Sequence, residues 1–98
     1  MAAGNRIELW GRIRGAPELR VTPSGTSVLR VSIDTGNQLV LPVVMTGEDA
    51  ARIGAGLKAD SDARVKGVLK IVRGRTKSGL ANVAYEVMAE SIEIEQRP

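Results

Sequence analysis

Apolar and polar residues alternate with a period of two in several short stretches, the pattern of strands with one face on a core and the other in water. In the first, Ile7, Leu9, Gly11 and Ile13 share one side and Glu8, Trp10, Arg12 and Arg14 the other, which predicts strand 1 over roughly residues 5–14. Thr22-Pro23-Ser24-Gly25 is turn chemistry, because proline presets φ and glycine accepts φ > 0. A hairpin into a second strand follows, with Leu29, Val31 and Ile33 alternating with Arg30, Ser32 and Asp34. Thr35-Gly36-Asn37 interrupts before a third strand from Leu39 to Met45. Pro42 removes a backbone donor there, so this strand is expected to be irregular and not fully paired on both sides.

The period then changes. Thr46-Gly47-Glu48-Asp49 places acids at a helix start, and Ala51, Ile53 and Leu57 form a face, predicting a short helix that ends near Asp60. Val65, Gly67, Leu69 and Ile71 alternate with Lys66, Val68, Lys70 and Val72 in a fourth strand, followed by a basic, glycine-rich loop from Arg73 to Gly79. A fifth strand starts near Asn82 with Val83, Tyr85, Val87 and Ala89 on one face, and a shift at Glu90-Ser91 before Ile92 and Ile94 reads as a bulge. The order β-β-β-α-β-β is that of an all-β, five-stranded Greek-key barrel of the oligonucleotide- and oligosaccharide-binding (OB-fold) class, with one short helix between strands 3 and 4. Gly11 and Gly67, each on an apolar face, are where such a barrel would bend or pack closely; ordinary strand glycine is the alternative.

The 98 residues suit one domain spanning 1–98. Neither cysteine nor histidine occurs, which removes disulfides, thiol nucleophiles, imidazole bases and the usual zinc ligands. Glu48, Asp49, Glu86 and Glu90 have no accompanying base, nucleophile or phosphate loop. The expectation is therefore a protein that is not an enzyme, with no catalytic residues, metal site or cofactor. No apolar run approaches the ~20 residues of a membrane span, and the start MAAGNRIELW lacks a secretory stretch, so a cytoplasmic protein without membrane contact is expected.

Net charge is only +3, but it is unevenly placed. Residues 63–80 hold six cations and no acid, and the segments 31–62 and 82–98 are each net acidic. Arg73, Arg75 and Lys77, with Lys66 and Lys70 on the adjoining strand, form the first candidate nucleic-acid site, against the alternative of a solvated hairpin. Arg12, Arg14, Arg20 and Arg30 are weaker candidates, because Glu8, Glu18 and Asp34 are near enough in sequence to pair with them. Trp10 and Tyr85 are the only aromatics, so the core must be aliphatic and base stacking sparse. Trp10, on a polar face, is either a stacking residue or a contact with another subunit. Tyr85 is in phase with Val87 and Ala89, which reads first as core and only second as a stacking residue.

Asn5-Arg6-Ile7-Glu8-Leu9-Trp10-Gly11-Arg12-Ile13, then Ala16-Pro17-Glu18-Leu19-Arg20-Val21-Thr22-Pro23-Ser24-Gly25-Thr26, resembles the opening of bacterial single-stranded DNA-binding proteins. The likeness continues through Val43-Val44-Met45-Thr46-Gly47, Val65-Lys66-Gly67-Val68-Leu69 and Tyr85-Glu86-Val87-Met88-Ala89-Glu90, covering residues 5–95. Within that superfamily, Leu41-Pro42-Val43-Val44-Met45-Thr46-Gly47, Arg75-Thr76-Lys77-Ser78-Gly79-Leu80 and Ser91-Ile92-Glu93-Ile94 are most similar to the primosomal replication protein N (PriB) branch. The chain departs from the families in two ways. Gln38, Leu39, Val40 and Thr46 stand where aromatics are usual, and the sequence stops at Glu95-Gln96-Arg97-Pro98 without the acidic, partner-recruiting tail.

The resemblance implies sequence-independent binding of single-stranded DNA, with RNA left open, in replication or replication restart. It also implies a homodimer formed through strand 1, with Trp10 at the subunit contact, working beside a replication helicase or other primosome proteins. Two alternatives stand: a tail-less single-stranded DNA-binding protein, and a protein-docking module with weak DNA affinity.

Overall fold

The alternation builds five strands and one helix in the expected order: β1 (Ile7–Val21), β2 (Ser27–Asp34), β3 (Val40–Thr46), α1 (Glu48–Gly56), β4 (Asp62–Arg75) and β5 (Ala81–Ile94). This is a computed structural model, and it describes residues 4–95. The strands close into a barrel in the order β1-β2-β3-β5-β4, with β4 returning to β1. Closure depends on β1 serving two neighbours. Its first part, Ile7 to Arg12, pairs with β4, and from Arg12 onward it pairs with β2.

The two glycines sit where strands press together. A Cβ on Gly11 would fall on the carbonyl oxygen of Asp34, and one on Gly67 on the carbonyl oxygen of Met88. Beside Gly67 the β4–β5 register slips past Glu90, the bulge expected at Glu90-Ser91. β3 follows β2 along its whole length but meets β5 only at Val43–Val87 and Val44–Met88. Incomplete pairing of the Pro42 strand is thus observed.

Ile13, Leu29, Ile33, Val43, Val65 and Val87 are the large fully buried side chains, and every strand supplies at least one. The core is aliphatic, as the scarcity of aromatics requires. Helix α1 closes one end of the barrel with Ala50 and Ile53, and Leu57 just beyond it is buried as well.

Four details depart from expectation. β1 runs on to Val21, because Gly15, Ala16 and Pro17 stand opposite the single residue Val31 in a bulge, which absorbs proline without ending the strand. The helix ends at Gly56, not near Asp60, since Leu57 turns extended to enter the core. Arg73, Gly74 and Arg75 are strand, paired with Val83, Asn82 and Ala81, so only residues 76–80 form the turn. Tyr85 is not in the core: it is 52% exposed, because the β4–β5 hairpin outruns the barrel and phase no longer implies burial.

Candidate nucleic-acid interface

From Lys70 outward the β4–β5 hairpin leaves the barrel as a two-stranded arm with both faces in water. Cross-strand register sorts its residues. Ile71 stands opposite Tyr85, Arg73 opposite Val83 and Arg75 opposite Ala81, so two guanidinium groups share a face with exposed Ile71, Val83, Tyr85 and the small Ala81. Lys70 stands opposite Glu86 on the other face, with Val72 opposite Ala84. The arm is closed by Thr76-Lys77-Ser78-Gly79-Leu80. The Thr76 hydroxyl accepts from the Leu80 N–H at 3.2 Å, and the Arg75 guanidinium donates to the Gly79 carbonyl at 3.0 Å. Arg73, Gly74, Arg75 and Ala81 border an open hollow of about 320 Å³. Among the described residues Lys70, Arg73 and Lys77 have no carboxylate within ion-pair distance.

A second basic surface lies on the outside of β1, β2 and β3. Here Arg14, Ala16, Glu18, Arg30, Val31, Ser32 and Pro42 line a shallow groove of about 260 Å³, opened by the β1 bulge. This is the strand 2–3 face that OB-fold barrels present to oligonucleotides and oligosaccharides. Its cations are paired: Arg14 with Asp34 at 3.5 Å, Arg20 with Glu18 at 3.9 Å, and Arg30 with Glu86 at 3.6 Å. Exposed pairs contribute only about 0–1 kcal/mol, so a phosphate can exchange with most of these carboxylates.

The third group is of another kind. On the β1–β4 wall Trp10 stands opposite Arg64, whose guanidinium carbon lies 5.6 Å from the ring centroid, within cation–π range. Lys66 reaches Glu8 at 3.9 Å, and Arg64 reaches Glu95 at 3.4 Å. Arg12 sits between Asp34 and Asp62, its register partners on the two sides, and contacts Asp62 at 4.0 Å. Trp10 itself is 56% exposed.

The structure therefore gathers Lys70, Arg73, Arg75, Lys77 and Tyr85 on the arm, and Arg14, Arg20 and Arg30 on the groove face. Lys66 and Arg12 stand apart, beside Trp10. Ser32, Pro42, Arg64, Glu86, Ile71 and Val83 border these surfaces although the sequence offers none of them as a site residue. The pairings on the arm were legible in principle, because a five-residue turn between Arg75 and Ala81 fixes the register back to Lys70 and Glu86. Arg64 beside Trp10 depends on a contact between distant strands that no local signal announces.

Among the described residues no three histidine, cysteine or acidic side chains are grouped to hold a metal ion, and no helix is long and apolar enough to cross a membrane. The family model described as "Single-strand binding protein family" matches residues 4–95. No curated protein matches the chain.

Proposed function

The chain belongs to the single-strand binding protein family, and from that premise we propose that it binds single-stranded DNA without sequence preference, mainly through phosphate contacts made by the β4–β5 arm. The observation that carries this reading is that Lys70, Arg73 and Lys77, with no carboxylate in ion-pair range among the described residues, lie next to exposed Ile71, Val83 and Tyr85. Phosphates need accessible positive charge, and bases need flat or apolar surface; the arm offers both within one hairpin. Tyr85 is its single stacking surface, where an aromatic contact contributes about 1–3 kcal/mol per base. Arg14 and Arg20 add phosphate contacts by exchanging their weak surface pairs, and Arg30 and Ser32 line the groove that leads across the barrel. Lys66 and Arg12, held by Glu8 and Asp62, belong to the periphery of such a site.

Titration of poly-dT at several salt concentrations, read by Trp10 fluorescence and by oligonucleotide retention, tests this directly. Affinity should fall steeply with salt, by about 0.7 in log–log slope per neutralised phosphate. The Arg73→Ala/Arg75→Ala/Lys77→Ala variant should lose most retention and flatten that slope by about 2. Unchanged retention would remove the arm as the binding element.

The family resemblance and the basic arm also support a role in replication restart, beside a helicase or other primosome proteins. A homodimer through strand 1 is part of the same reading. Ile7 to Gly11 bond to β4 on one side and have no strand partner on the other among the described residues, with exposed Trp10 alongside. An open strand edge is a template for pairing with a second chain. Light scattering of the free protein should give twice the chain mass; a monomer mass at micromolar concentration would rule the dimer out, and a tetramer would favour the alternative of a general single-stranded DNA-binding protein.

A further inference from the structure

Glu86 lies between the two basic surfaces. It projects from β5 in register with Lys70 at the root of the arm, and its carboxylate reaches over β3 to Arg30 on β2, with Oε2 3.6 Å from Nη2. Its side chain is only 13% exposed, whereas the Arg30 side chain is 53% exposed. The other carboxylates of the groove face, Asp34 and Glu18, are at 34% and 61%. Glu86 is thus the most shielded acid on that surface, and screening weakens its hold on a cation least.

We infer that Glu86 acts as a built-in phosphate mimic, keeping Arg30 off the nucleic acid and limiting affinity where a strand passes between groove and arm. A carboxylate offers a guanidinium the same kind of anionic oxygens as a phosphate. A strand crossing from the groove toward Lys70 therefore meets an arginine already satisfied and a like charge beside it. Lys70, with no ion pair among the described residues, stays available at the next step. This inference rests on the single-strand-binding reading and adds to it a residue that works against binding.

Glu86→Gln removes the charge and keeps the shape. Its affinity for poly-dT should rise about two- to fivefold at low salt, and its log–log salt slope should steepen by about 0.7, as one further cation meets a phosphate. Glu48→Gln, which removes an exposed acid at the start of α1, supplies the control for net charge alone. In a background that also carries Arg30→Gln, the gain should shrink to that of the control. Arg30→Gln by itself should leave the slope unchanged, since Arg30 makes no phosphate contact while Glu86 holds it.

Weaker or unchanged binding by Glu86→Gln, or an equal gain from Glu48→Gln, overturns the inference. So does a slope that Arg30→Gln alone flattens by about 0.7, a test that remains if Glu86→Gln fails to fold. If wild type binds and Glu86→Gln is no tighter, only the role of Glu86 falls. If neither retains oligonucleotide at low salt, the binding function falls with it.

Discussion

At Gly67 the neighbouring backbone occupies the space that a side chain would need, since an added Cβ would meet the Met88 carbonyl oxygen and come within 2.9 Å of the Ala89 Cα. Gly11 is placed in the same way against Asp34 and Thr35. Backbone cannot swing aside as a flexible side chain does, so a methyl group must push two strands apart. Gly11→Ala and Gly67→Ala should each lower unfolding free energy by about 1–3 kcal/mol in denaturant titrations. Gly74, in the arm, has open space around it and does not need positive φ. Gly74→Ala should be neutral or stabilise by up to about 1 kcal/mol, through loss of unfolded-state freedom. Equal costs at all three positions would refute the close-approach account.

At the scale of elements, two of the three hairpins, β1–β2 and β4–β5, share one turn design. Residues 22–26 (Thr-Pro-Ser-Gly-Thr) and 76–80 (Thr-Lys-Ser-Gly-Leu) share a threonine N–H donating to the carbonyl four residues on, at 2.8 and 2.9 Å, and a threonine hydroxyl bonded to the serine hydroxyl at 2.9 Å in both. Gly25 and Gly79 both adopt positive φ, +88° and +85°. The first turn is legible because proline and flanking apolar alternation mark it. The second is hidden by Arg73-Gly74-Arg75, whose charges and glycine resemble loop, although turn geometry, and not burial, holds them in register. Tyr85 fails for a related reason: alternation reports which side of a strand a residue takes, while burial depends on how far the barrel extends. Pro17 likewise ends a strand by local rules but lies in a bulge that no local pattern predicts.

For the whole molecule, connectivity and barrel class follow from the order of elements, whereas partners such as β3 with β5 and β1 with β4 come from closure itself. The charge pattern was only half legible. The basic excess at 63–80 is apparent in sequence, but the structure divides it between an arm with unpaired cations and a wall where Arg64 and Lys66 are bound to acids. Arg12 is the one β1 residue that stands in both of that strand's ladders. On one side of it the ladder joins residues as close as Val21 and Ser27; on the other it joins Ile7 with Gly67. Closing a long loop costs more chain entropy than closing a short one, so the order of assembly is set by this division. In refolding, the β1–β2 hairpin is expected to form early and the cylinder to shut last. Amides of β1 and β4 that bond each other across Ile7–Gly11 should gain protection after those of β1 and β2 in pulsed hydrogen exchange, and simultaneous protection would mean that closure is part of the nucleus. The segment that shuts the cylinder against β4, Ile7–Gly11, is also the one whose opposite edge has no strand partner among the described residues, so late folding fixes both edges of that strand together.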